Sequence, residues 1–180
     1  MCSLDNRQTF QFQVGNQHDN KLLTDLFITD PFYDKKRIKD AKGGLLSGSC
    51  DWIIDHKAFH DWYQGHSARL LWVNGDPGKG KTMLMIGIIE ELEDRLKKNK
   101  TGLSCNEATL CYFFFEGSDP ERNNATAMLR ALIWLLIKRN GFLAKHLDEK
   151  FDRVGSKLML GSNSFYALSG LLENMLQDDR

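Results

Sequence analysis

The sequence predicts an α/β fold, on three observations. A short apolar run, Arg69-Leu-Leu-Trp-Val73, enters a glycine-rich turn. Apolar residues then recur at helical spacing after Thr82, and a second β-prone run, Thr109 to Phe115 (TLCYFFF), precedes further helices. Strand, helix, strand, helices is the order of a layered α/β domain.

Taken in order, residues 1–20 are polar, without helical period, and read as a loose tail. Residues 21–66 read as a helical lead-in, with Pro31 and Gly43-Gly44 as breakers. Five basic residues crowd it (Lys35, Lys36, Arg37, Lys39 and Lys42), which is the pattern of a solvated face. CDWIIDHKAFHDWYQG follows as one helix with Trp52, Phe59 and Tyr63 on a single stripe. His56 and His60 have the spacing of a metal pair, but no third ligand is evident and a structural pair is the reading.

Residues 67–180 form the second region. Arg69–Val73 reads as a buried strand. The next helix places Met85, Ile88, Ile89, Leu92 and Leu96 inward, and Glu90, Glu91, Asp94 and Arg95 on the opposite face. Asn123 or Asn124 can cap a helix running to about Lys138. That helix is apolar almost all round from Ala131 to Ile137 and should be deeply buried. Two amphipathic helices close the chain, one carrying Leu143, Leu147, Phe151 and Val154, the other Phe165, Leu168, Leu172, Met175 and Leu176.

Composition narrows the function. Apolar residues make up 42% and charged residues 27%, and 24 basic residues balance 24 acidic ones. No net field draws the chain to nucleic acid or to an anionic membrane. The longest apolar run is far too short to span a bilayer. Four cysteines without a C-x-x-C pair read as reduced thiols in a cytoplasmic protein.

Gly75-Asp76-Pro77-Gly78-Lys79-Gly80-Lys81-Thr82 satisfies G-x-x-x-x-G-K-[ST] in full, between a strand and a helix. A loop that wraps phosphate must turn its backbone amides inward, and the unpaired amides and dipole of the following helix add to the attraction. Pro77 stiffens the loop. Lys81 is placed to neutralise the β- and γ-phosphates, and the Thr82 hydroxyl to ligate Mg²⁺. A nucleoside triphosphate, ATP or GTP, is the expected ligand. A P-loop enzyme also needs a carboxylate at a strand end. Glu116 is the candidate, against a plain reading as an exposed strand-end residue. Arg122, nearby, could reach a phosphate or pair with a neighbouring carboxylate.

The ensemble DPFYDKKRIKDAKGGLLSGSCDWIIDHKAFHDW, RLLWVNGDPGKGKTMLMIGIIEEL and CYFFFEGSDPERNNATAMLRALIWLLI resembles the NACHT module of fungal NOD-like receptors, which belong to the STAND class of signalling NTPases and include heterokaryon-incompatibility proteins. The likeness covers about residues 22–180. It implies a three-layer αβα P-loop NTPase fold, incomplete here because the acidic (Walker B) strand follows beyond Arg180. It also implies a switch in self/non-self recognition, driven by ATP or GTP exchange and reset by slow hydrolysis, with full-length receptors or copies of itself as partners. The segment from Asp30 to Trp62 commonly helps to hold the base. Without the acidic strand, efficient hydrolysis is not expected, and Arg69–Val73 should lack its ladder partners, leaving the chain marginally stable. Two other readings remain open: a small complete P-loop kinase with Glu116 as its acid, and a non-enzymatic decoy or interaction module.

Overall fold

The computed structural model describes residues 17–65, 68–99, 108–147 and 161–178. The chain divides into two compact units, residues 31–110 and a second made of residues 1–30 with 111–180.

In the first unit, α2 (Pro31–Ala41), α3 (Asp51–Ile54), α4 (Lys57–Gln64) and α5 (Lys81–Asn99) surround a core of Cys50, Ile53, Phe59, Ile88 and Leu92. Pro31 marks the break expected of it, with residues 27–30 non-helical just before it. It is the first residue of α2, where a missing N–H costs nothing because first-turn amides have no helical partner. The expected single helix over CDWIIDHKAFHDWYQG is two. His56 leaves the helix with extended backbone, and its Nδ1 accepts the Ala58 amide at 3.1 Å, capping α4. The break takes Trp52, which is exposed, off the expected stripe, while fully buried Phe59 and the more exposed Tyr63 stay together on α4 with stacked rings 6.1 Å apart.

The basic face of α2 is only partly solvated. Lys35 is buried and donates to Glu93 at 2.6 Å, and Lys39 donates to Glu90 at 2.7 Å. Two ion pairs thus fix α2 to α5, and Glu90 does not serve the solvent face assigned to it. Arg95 pairs with Glu91 and lies over the Tyr63 ring, 4.7 Å from its centroid, so it too has an internal role in holding α4. Cys50 seats the lead-in on α5 at Gly87, where an added Cβ would lie 2.1 Å from the Cys50 sulfur.

In the second unit, α1 (Gln17–Leu26), α6 (Ala125–Arg139), a 3-10 turn at Gly141–Ala144 and α7 (Ser164–Leu176) enclose Leu26, Leu129, Ile133, Ile137, Leu147, Leu168 and Leu171 among others. The helix α1 occupies the end of the supposed tail; residues 1–16 lie outside the described residues. Asn124 is the cap of α6, its Oδ1 accepting the Ala127 amide at 2.9 Å. Ala131, Ile133, Leu135, Leu136 and Ile137 are buried, as their all-round apolarity predicts. Phe151 and Val154 fall outside the described residues. In α7 the inward face is Leu168, Leu171 and Met175, whereas Phe165 and Leu176 are exposed. Burial raises the pKa of the Cys111 thiol to about 11, so it is a neutral core group at ordinary pH.

No strand occurs among the described residues, so both expected strands require correction. A strand is a relation between neighbours, not a property of one segment. Leu71 and Val73 are half-buried, with Leu71 against the core, while Leu70 and Trp72 point outward at 74% and 78% exposure. That alternation is extended-chain behaviour with apolar residues on both faces, the composition of an interior strand, but among the described residues, residues 69–74 have no backbone–backbone hydrogen-bond partner.

Two outcomes follow from this packing. In hydrogen exchange, the amides of Leu71–Val73 should exchange near the unprotected rate while those of Ile133–Ile137 are strongly protected; equal protection would contradict the unpaired segment. Gly87→Ala should destabilise the chain by about 1–3 kcal/mol in urea unfolding, through overpacking against Cys50.

Candidate functional site

Residues 75–82 form a tight bend that ends in the first turn of α5. Gly78 and Gly80 have φ of 80° and 79°, the left-handed region that a side chain strains. An added Cβ at either would meet nothing within 4 Å, so glycine is required by backbone conformation and not by crowding from the protein. Left-handed residues alternating along a short bend turn successive amides toward one side. Inside the bend, the Lys79 amide approaches the Asp76 carbonyl at 3.4 Å, and the Gly80 carbonyl receives the Leu84 amide at 2.9 Å. Among the described residues, no backbone carbonyl outside the helix takes the amides of Gly78, Gly80, Lys81 or Thr82.

Lys81 spans this bend. Its ammonium donates to the carbonyls of Gly75 at 2.6 Å and Asp76 at 2.8 Å. An ammonium has three donors, so two tie the start of the loop to the start of the helix and one remains for another acceptor. These contacts draw carbonyl oxygens toward the cation and keep them away from the amide side. Thr82 stands exposed on the first turn of α5.

An open cleft of about 460 Å³ lies beside the loop in the same unit. Lys79, Gly80, Met83 and Leu84 supply its loop-and-helix wall; the lead-in supplies the other through Lys42, Ser49 and Trp52, with the turn at 43–46 between them. The Cys50–Gly87 contact brings these walls together. The Trp52 role was not legible in the sequence. Its only signal was an aromatic that the break at His56 removes from the Phe59 stripe.

Glu116 and Arg122 are brought to each other. Arg122 Nη2 lies 3.0 Å from Glu116 Oε2, and its Nε donates to Asp119 at 2.6 Å. The Glu116 amide also donates to the Arg122 carbonyl at 3.3 Å. Both side chains are committed to a self-bonded loop that leads into α6, which is the carboxylate-pairing reading for Arg122. Among the described residues, no group of three His, Cys, Asp or Glu side chains could hold a metal, and no helix is long and apolar enough to cross a membrane. Arg122→Met should lower stability by about 0.5–1 kcal/mol in urea unfolding, the scale of a partly exposed pair.

Comparison with known proteins supports the resemblance. The family described as "Nephrocystin 3, N-terminal" matches residues 48–180. Vegetative incompatibility protein HET-E-1 of Podospora anserina is 45% identical over 160 residues, which are 89% of this chain and 11% of that protein. The chain thus spans about a tenth of the length of the curated relative it matches. No solved structure matches. The chain belongs to the nephrocystin 3 N-terminal family and is a HET-E-1-like protein of the NACHT region.

Proposed function

We propose that this family member is the nucleoside-triphosphate-binding part of a NACHT-type signalling switch, of the vegetative-incompatibility kind named in its relative. Gly75 to Thr82 hold the polyphosphate. The amides of Gly78, Gly80, Lys81 and Thr82 take its oxygens, the remaining Lys81 donor meets the β- and γ-phosphates, and the dipole of α5 adds to both. The adjoining cleft takes the nucleoside. The single observation that supports this reading best is the Lys81 ammonium lying across the Gly75 and Asp76 carbonyls at the head of a 19-residue helix.

Mg²⁺ fits this site as an ion carried in by the triphosphate. The protein offers one hydroxyl, Thr82, at the helix start, and the ion's hard oxygen preference is met chiefly by phosphate and water. When bound, the ion offsets phosphate charge; the chain's own part is to hold one coordination position.

Binding without turnover is the proposed role of these residues, because Glu116, the acid that a kinase reading requires, is engaged by Arg122. The α/β architecture belongs to this proposal too. Arg69–Val73 and Thr109–Phe115 are the two segments that would join a P-loop sheet, and signalling would depend on self-association or on full-length receptors that share the module.

Lys81→Ala should weaken triphosphate binding at least about tenfold, the scale of one lost charge-assisted contact of about 1.5–3 kcal/mol. Unchanged affinity would remove the loop as the site. A phosphate-release measurement on the same preparation should show no turnover that Glu116→Gln abolishes.

A further inference from the structure

Asparagine followed directly by glycine occurs twice in the chain, at Asn74-Gly75 and at Asn140-Gly141. Such a pair can react with itself, because glycine has no side chain to shield its amide nitrogen from the carboxamide beside it. Ring closure also needs the asparagine backbone to turn until that nitrogen reaches Cγ. Structure therefore decides which of the two pairs reacts.

Asn140 is held. It is half-buried, its amide donates to the Leu136 carbonyl at 2.8 Å, and its carbonyl accepts the Leu143 amide at 3.0 Å. These bonds close α6 and begin the 3-10 turn, so turning this residue would break both.

Asn74 is exposed and lies outside any helix or strand. Among the described residues, no backbone group bonds to it, and nothing accepts the Gly75 amide. Lys81 grips the carbonyls of Gly75 and Asp76 at 2.6 and 2.8 Å, which fixes the chain on the far side of Gly75 and leaves the peptide between Asn74 and Gly75 able to rotate. The same ammonium sets positive charge on the residue whose amide must lose a proton, and so favours the anionic nitrogen.

We infer that Asn74 is a site of spontaneous deamidation, which the fold exposes there and suppresses at Asn140. The Gly75 nitrogen gives up its proton and bonds to Asn74 Cγ; the Cγ–N bond of the carboxamide breaks, and ammonia leaves with the proton. Water then opens the cyclic imide. Attack at Cγ gives aspartate, and attack at the main-chain carbonyl gives isoaspartate, in which the backbone runs through Cγ. Either product adds a carboxylate directly ahead of the phosphate loop, and isoaspartate also lengthens the main chain by one carbon. The consequence for binding rests on the phosphate-loop reading above: polyphosphate then meets a like charge and a displaced Gly75.

The experiment ages the purified full chain in mildly alkaline buffer and follows both pairs by peptide mass spectrometry, with isoaspartyl methyltransferase labelling to identify the isoaspartate. Asn74 should convert at least about tenfold faster than Asn140, as a difference in local opening requires. In urea, where neither pair is held, the two rates should come within about threefold of each other. Asn74→Gln, whose ring closure is slower, should abolish labelling at this position. Calorimetric titration with inorganic tripolyphosphate should show binding falling in step with conversion of the aged chain, while aged Asn74→Gln keeps it. An intact Asn74, an Asn140 that converts as fast, or a rate ratio that urea does not change would overturn the inference. Undiminished binding by the converted chain would overturn its consequence for the loop. A fresh chain that does not bind tripolyphosphate overturns the loop reading, and the mass measurement still decides the modification site by itself.

Discussion

The seating of the lead-in on α5 is the constraint on which the site depends. Cys50 enters the notch at Gly87, and Lys35 and Lys39 reach Glu93 and Glu90 further along the same helix. A removed side chain at one point and opposite charges at two others determine how α2 and α3 lie. One wall of the cleft is carried by that arrangement, and the other by the start of α5 itself. The Lys35–Glu93 pair is nearly closed to solvent, with side-chain exposures of 7% and 23%. A charge so placed is costly when left alone, so the pair supports one docking geometry more than it adds net stability.

The loop follows a different logic. Its shape comes from two glycines in a conformation that other residues resist, and from a lysine that bonds the carbonyls of its own first residues. Little of this needs packing from elsewhere. Such a motif is legible because the determinants are local: residue types at fixed offsets, with a helix immediately behind. The same holds for α6, where an asparagine cap and a continuous apolar run both belong to the segment itself.

Elements whose deciding partner is distant in the chain are not legible in their own residues. Arg69–Val73 and Thr109–Phe115 have strand composition, yet pairing is what makes a strand, and composition cannot supply a neighbour. The basic run on α2 looked like a solvated face because the glutamates that meet it lie more than fifty residues away. Trp52 seemed to share a stripe with Phe59 until His56, capping α4 with its ring nitrogen, divided the helix. Glu116 and Arg122 are candidates for chemistry by position alone, and the loop between them closes through Asp119 instead.

Leu70 and Trp72, the outward half of an extended segment that has no backbone partner among the described residues, carry a practical consequence. Bare peptide groups along a run with large apolar side chains form a template onto which any extended chain can lay itself down. Solubility in such a molecule is governed less by its balanced surface charge than by how often two of these segments meet. Dilution protects it and crowding does not; a lysine at position 70 or 72 would act as a gatekeeper against clumping without disturbing the phosphate loop.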